Sequence, residues 1–309
     1  MQYRDMPPWL SGIYQALFAL LPWSVDVDFG AWNMTVPAEP LLAAAGIGLG
    51  VALVREKPRL SLPALAWVSA CWIGWQAVAA FYSSMPAVSW KYWIVEAGQW
   101  WVFFIGIMLW PGIWERLIGV FTWSMAGVPV YVVAHHAAYG FRTDQAALAP
   151  VPFFPDHTVF GAVLVLLGLI WVGASRSMRL YSVTLPPELP LCMFLFALVQ
   201  VPSRGAWLSL SLAAWVGLLW YSRFSRRWAL AGAVIVLAGI FFYRENILQR
   251  LAADVSTQER LNRHSCAVRM ASDRPWTGFG PGTFAFQYLS YQQPGEMTRL
   301  SIRQPDSGQ

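Results

Sequence analysis

Charged side chains are scarce in this chain. Asp, Glu, Lys and Arg make up only 12% of its 309 residues, about half the ~25% typical of soluble domains. With 57% hydrophobic residues beside them, that deficit excludes an ordinary soluble globular protein. Cysteine is rarer still. Cys71 and Cys192 fall inside apolar runs and Cys266 stands alone in a polar stretch, which excludes a disulfide framework and any CxxC motif. Histidine is limited to His135, His136, His157 and His264. No HExxH or HxxxH pair occurs among them, so zinc chemistry is not expected. A GxSxG elbow is missing too, which leaves a serine hydrolase unsupported. The net charge of +5 comes from short basic clusters between apolar runs, not from one basic face, so no nucleic-acid partner is expected.

What the chain has in excess is tryptophan, 19 residues, and aromatic belts at a bilayer interface use it heavily. Successive apolar runs approach the ~17–25 residues of a bilayer span. They predict an all-α polytopic membrane protein of about nine spans, near 9–24, 38–54, 62–82, 92–110, 113–138, 157–174, 186–202, 205–222 and 228–243. The first run has only Arg4 before it and no small-residue cleavage site after it, so it reads as an anchor and not as a signal peptide. With the N-terminus cytoplasmic, the inner loops hold Arg4, Arg55, Lys57, Arg59, Arg116, Arg176, Arg179, Arg223, Arg226 and Arg227. The outer loops hold only Lys91, Arg142 and Arg204. This positive-inside bias puts the polar tail outside the cytoplasm. The organisation expected is a transmembrane bundle over 1–243 and a periplasmic loop segment over 244–309.

The tail is the one long polar stretch. Asp254-Val255-Ser256 reads as the start of a helix over about 257–272, with Ser256 and Glu259 spaced as a capping box. At ~100° per residue, Arg260 and His264 share one face and Arg269 points away. Pro275, Gly278, Gly280, Pro281 and Gly282 then force a non-helical path. No Lys-Ser/Thr follows this glycine run, so it is not a nucleotide loop. It suits a rigid turn that brings backbone close to a ligand or another helix.

Several polar residues stand where chemistry could occur. Arg204, in Pro202-Ser203-Arg204-Gly205-Ala206-Trp207, lies at the outer end of a span. Arginine near hydrocarbon is costly and pairs or faces a polar cavity, and its fork suits a phosphate. Snorkelling to the headgroups is the plainer reading. Asp26 and Asp28 in the first outer loop could hold a divalent metal together with substrate oxygens, or form a solvated acidic loop. His157 beside Asp156 is either an oriented base or an interfacial residue next to a helix N-cap. Glu96 and Gln99 either bond between helices or line a cavity.

Four motifs in order carry a resemblance. Phe154-Pro155-Asp156-His157-Thr158-Val159-Phe160-Gly161-Ala162, Ser203-Arg204-Gly205-Ala206-Trp207-Leu208-Ser209-Leu210, Glu259-Arg260-Leu261-Asn262-Arg263, and Arg274-Pro275 with Gly278-Phe279-Gly280-Pro281-Gly282-Thr283-Phe284 resemble the bacterial O-antigen ligase/polymerase superfamily. The likeness runs from about His157 to Arg303, and the first five spans match in hydropathy alone. It implies a GT-C-like glycosyltransferase of lipopolysaccharide or other polysaccharide biosynthesis in the inner membrane, with a large periplasmic loop. Such an enzyme moves a glycan from undecaprenyl pyrophosphate to a lipid A-core, polysaccharide or protein acceptor, inverting the anomeric centre with no metal or cofactor. Arg204 and Arg260 are then expected to hold the pyrophosphate, with His157, Glu96 and Arg263 as further cavity residues. His264 stands where similar sequences more often have Trp and is a weak candidate base. Relatives continue past a segment like Met297-Thr298-Arg299-Leu300-Ser301 to a His-Ser-Glu-like motif, so the base is expected beyond Gln309. Two other readings remain open: a transporter or flippase with Arg204 and Glu96 along its path, and a metal-dependent glycosyltransferase using Asp26 and Asp28.

Overall fold

A computed structural model of the chain describes residues 5–30, 33–57, 63–142, 145–174, 188–200, 203–221 and 255–297. The expected ninth span at 228–243, the basic cluster at 223–227 and the stretch 298–309 lie outside the described residues. The described chain is mostly helical. It divides into two units: residues 1–60 with 101–224, and residues 61–100 with 225–309.

The first unit begins with α1 (Pro8–Leu20), closed by a 3₁₀ turn at Leu21–Trp23, and a short antiparallel hairpin of β1 (Val25–Asp28) and β2 (Asn33–Val36). The hairpin corrects the purely helical expectation. Its cause is local, since Val25-Asp26-Val27-Asp28 alternates apolar and polar residues at the strand period of two. Helix α2 (Ala38–Glu56) follows and ends where Lys57 turns left-handed, φ 43°. It packs on α1 through small residues. Ala45, Gly48 and Ala52 are all buried, and a Cβ at Gly48 would lie 2.9 Å from Leu10 Cδ1. In a bilayer, where lipid is as apolar as leucine, such close approach is the main source of helix association.

α3 (Ala64–Phe81) and α4 (Pro86–Gln99) form a hairpin, and α4 runs on through a π-helical stretch, Trp100–Gly106, to Leu109. A π-turn leaves backbone carbonyls poorly matched to the α-helical ladder. Tyr14 supplies a donor there, its hydroxyl bonding the Val102 carbonyl at 2.9 Å. Gly106 leaves room for it, because a Cβ at that position would sit 2.0 Å from the Tyr14 oxygen.

The rest of the first unit is α5 (Trp114–Ala138), α6 (His157–Ala174), α7 (Glu188–Gln200) and α8 (Arg204–Tyr221). Met125, Val128, Val132, Phe160, Leu164, Phe194 and Ala197 make the core between α5, α6 and α7. Four described helical stretches are long and apolar enough to cross a membrane: Ala38–Glu56, Ala64–Phe81, Pro86–Leu109 and Pro111–Ala138. His157–Trp171 and Leu189–Gln200 are shorter apolar helices.

The second unit joins the α3–α4 hairpin to the tail. Cross-hairpin bonds are all polar-to-polar in apolar helices: Trp93 Nε1 to the Ile73 carbonyl at 2.9 Å, Trp100 Nε1 to Ser69 Oγ at 3.0 Å, and Gln76 Nε2 to Glu96 Oε1 at 3.1 Å. The tail holds α9 (Val255–Asp273), the short α10 (Phe284–Gln287) and 3₁₀ turns at Tyr288–Tyr291 and Pro294–Glu296. Because α9 already includes Val255, Ser256 falls inside the helix and not at its cap. Glu259, expected to reach back in a capping box, is buried (5% exposed).

Candidate functional site

In the first unit the polar residues gather where α5, α6, α7 and α8 begin or end. Ser203 caps α8, accepting the Ala206 N–H on Oγ at 3.3 Å, and Arg204 is the exposed first residue of that helix. Asp156 caps α6, its Oδ1 accepting the Thr158 N–H at 2.7 Å and the Thr158 hydroxyl at 2.6 Å. His157 is the first residue of α6. Its Nδ1 lies 3.8 Å from Asp156 Oδ1, and its side chain is about a third exposed. Asp156 is thus the N-cap that one reading of the pair expected.

Sequence reasoning missed the role of His136. This residue is buried, with Nε2 3.0 Å from the Arg142 carbonyl and Nδ1 3.2 Å from Gln200 Oε1. It thus joins the end of α5, the loop after it and the end of α7, four residues before Arg204. Because a carbonyl only accepts, Nε2 carries a proton. His135 bonds the Ala149 carbonyl at 2.9 Å, and Tyr131 bonds that of Val151 at 2.8 Å, which straps the same loop onto α5. The signal available in the sequence was Gln200, a polar residue closing an otherwise apolar run.

The carboxylates of the first loop are engaged by their own hairpin. Asp26 Oδ1 accepts from Thr35 Oγ1 at 2.6 Å, and Asp28 Oδ1 from the Gly30 N–H at 2.7 Å. Among the described residues, no three His, Cys, Asp or Glu side chains come together as a metal-binding group.

In the second unit α9 presents Arg260 and His264 outward, one helical turn apart and both exposed. Its opposite side is packed. Cys266 and Met270 form a small core with Tyr288, backed by Phe279, Phe284, Leu289 and Tyr291. Burial raises the Tyr288 phenol above its usual pKa, and nearby Glu259 adds to this while Arg263 opposes it. Arg263, half-buried, thus belongs to the inner side of α9 and not to the exposed face with Arg260. Glu96, the remaining cavity candidate, is bonded across the hairpin to Gln76.

Arg269 fastens the helix to the chain end. Its guanidinium takes both Glu296 oxygens, Nη1 to Oε1 at 3.0 Å and Nη2 to Oε2, while Nε donates to the Tyr291 carbonyl at 2.9 Å. Asn262 bonds the Glu296 backbone carbonyl and the Tyr291 hydroxyl bonds Asp273.

The Gly-Pro-Gly loop does bring backbone against another helix pair. The Phe279 carbonyl accepts from the Ser84 N–H at 3.1 Å, Ser83 Oγ at 3.0 Å and Ser84 Oγ at 3.2 Å. Gly280 (φ 104°) and Gly282 (φ 73°) adopt left-handed backbone. A Cβ at Gly280 would meet Ser83 Oγ at 2.3 Å and Ser89 Oγ at 2.5 Å, and one at Gly282 would meet Tyr92 at 2.9 Å. Glycine here serves both the backbone angle and the close approach.

A helical multi-pass membrane protein that carries a folded polar segment after its spans is what these features define. Residues 189–307, which take in α7, α8, α9 and the glycine loop, match the family model described as O-Antigen ligase. This stretch is thus similar to the O-antigen ligase family, the group that the four sequence motifs resemble, and it takes in three of those motifs. No curated protein and no solved structure matches the chain.

Proposed function

We propose that the protein is a glycosyltransferase that moves a glycan from an undecaprenyl-pyrophosphate donor to an acceptor at the periplasmic face of the inner membrane. The observation that carries this reading is the family match, because it covers both helices that expose the expected arginines: Arg204 at the start of α8 and Arg260 on α9.

In this reaction an acceptor hydroxyl oxygen attacks the anomeric carbon while the bond from that carbon to the pyrophosphate oxygen breaks. The configuration inverts, the hydroxyl proton passes to a base, and the pyrophosphate departs with its charge. Stabilising that charge is the main demand on the protein. Arginine meets it with a fixed positive charge and paired N–H donors. Arg204 also lies in the first turn of α8, where the helix dipole favours an anion. In this reading Arg204 and Arg260 together hold the two phosphates. His264 lies one turn from Arg260 and is not the base. The bonds of Asp26 and Asp28 within the β-hairpin favour a structural use of those carboxylates over a metal-binding one.

The test is a transfer assay on the full-length protein in membranes with a lipid-linked glycan donor. Arg204→Lys and Arg260→Lys are each expected to lower transfer by roughly tenfold to hundredfold, since lysine keeps the charge and loses the fork. His264→Ala is expected to retain transfer. Parent rates in both lysine variants would overturn the pyrophosphate assignment, and loss of transfer in His264→Ala would make that residue the base.

A further inference from the structure

The glycine loop is fixed to the end of a membrane hairpin. Ser83 and Ser84 bond the Phe279 carbonyl, and Gln287 Nε2 donates to Ser84 Oγ at 3.3 Å. α3 has 18 residues, about 27 Å at 1.5 Å per residue, close to the ~30 Å hydrocarbon thickness of a bilayer. The Ser83–Ser84 turn therefore lies near the level where the hairpin leaves hydrocarbon. The interfacial layer there is about 5–7 Å deep.

Four large aromatic side chains surround that level with most of their surface uncovered: Phe81 (72%), Tyr82 (68%), Trp276 (79%) and Phe286 (58%). Phe286 adjoins Gln287. Trp276 is three residues from Phe279, at most about 11 Å along the chain. Both are thus tethered within reach of the interface. Arg274, exposed, stacks its guanidinium 4.6 Å from the centre of the Phe279 ring and keeps a cation at the same level. The hairpin itself also leaves apolar side chains exposed, Trp75, Val78, Tyr92 and Ile94. The same medium that covers those helices reaches the loop.

We propose that the loop over 274–287 is a membrane-interface anchor: Trp276 and Phe286 insert into the headgroup layer beside the α3–α4 turn, with Arg274 facing lipid phosphates. Amphipathic aromatic rings concentrate at this depth, and a cation beside the headgroups is attracted to anionic lipid. The anchor stands on the membrane character of α3 and α4 alone. Its use, to hold α9 near the plane in which a lipid-linked pyrophosphate arrives, rests on the function proposed above.

Nitroxide labels test the anchor apart from the chemistry. They are attached at Trp276→Cys and Phe286→Cys in a full chain carrying Cys71→Ala and Cys192→Ala, with buried Cys266 kept. The protein is reconstituted in vesicles of phosphatidylethanolamine and phosphatidylglycerol. Labels at Ile94→Cys and Ser272→Cys give lipid and water references. The expected result is that both loop labels relax with dissolved oxygen more than with a water-soluble nickel chelate, at a depth between the references. Labels that behave like Ser272→Cys overturn the proposal. So do labels shielded from both relaxants, which would mean that protein covers the patch. If the cysteine variants fail to insert, the emission lost in Trp276→Phe gives a second reading: it is quenched in brominated lipid if the anchor holds and unquenched if it does not.

Discussion

Arg269 and Glu296 are joined by two parallel hydrogen bonds that close the tail helix onto the turn twenty-seven residues later. The arginine bonds, helped by the Gln293 N–H, hold the Glu296 carboxyl below the usual carboxylate range. A depressed folded value means that the link contributes stability above the unfolded value of about 4.3 and loses it as pH falls through the folded value. Hydrogen exchange of α9, corrected for intrinsic rates, should therefore show constant protection from neutral pH to about 5 and a decline below about 4. Glu296→Gln should be less protected at neutral pH and flat across that window. Identical profiles for parent and variant would remove the link from the account.

Gly280→Ala should loosen the tail from the α3–α4 turn. It forces a side chain into Ser83 and Ser89 at a left-handed backbone position, a cost of about 1–3 kcal/mol. Gly278→Ala shares a positive φ but meets open space, so it should cost less. Protease cleavage between α9 and α10 reports the difference. Equal cleavage of the two variants would contradict it.

His136→Ala should destabilise the first unit by about 1–2 kcal/mol, because it removes a buried ring that bonds both the Arg142 carbonyl and the half-buried Gln200 amide. His136→Gln keeps a donor and an acceptor and should recover much of the loss. Thermal unfolding in nanodiscs measures both, and an alanine variant that unfolds at the parent temperature refutes the bridge.

Asp26→Asn together with Asp28→Asn should leave glycan transfer within about threefold of the parent, because amide oxygens still accept the hairpin bonds. Transfer should also persist in EDTA. Loss in EDTA that Mg²⁺ or Mn²⁺ restores would revive the metal reading.

Periodicity found the long elements. The span expected at 113–138 is α5, Trp114–Ala138, and the helix expected at 257–272 is α9, Val255–Asp273. Both have patterns that persist over several turns. The β-hairpin was overlooked although its alternation is only four residues long, because a short polar stretch between two spans reads as a loop. The π-turn at Trp100–Gly106 leaves no mark in composition, since it depends on Tyr14 arriving from a distant helix. Arg204 was legible as a costly cation near a membrane, and Arg260 only through the family resemblance. The buried uses of Glu259, Arg263 and His136 were not, because their partners lie on other elements.

The bond from Ser83 to Phe279 spans 196 residues, and this has a consequence for biogenesis. Translation at ~5–20 residues per second separates the two ends by roughly 10–40 seconds. Throughout that interval the α3–α4 turn has emerged with its hydroxyls and its aromatic rim and without the loop that covers it. The tail is thus a late closure on a hairpin already inserted, and insertion and final folding of this unit are separate events in time.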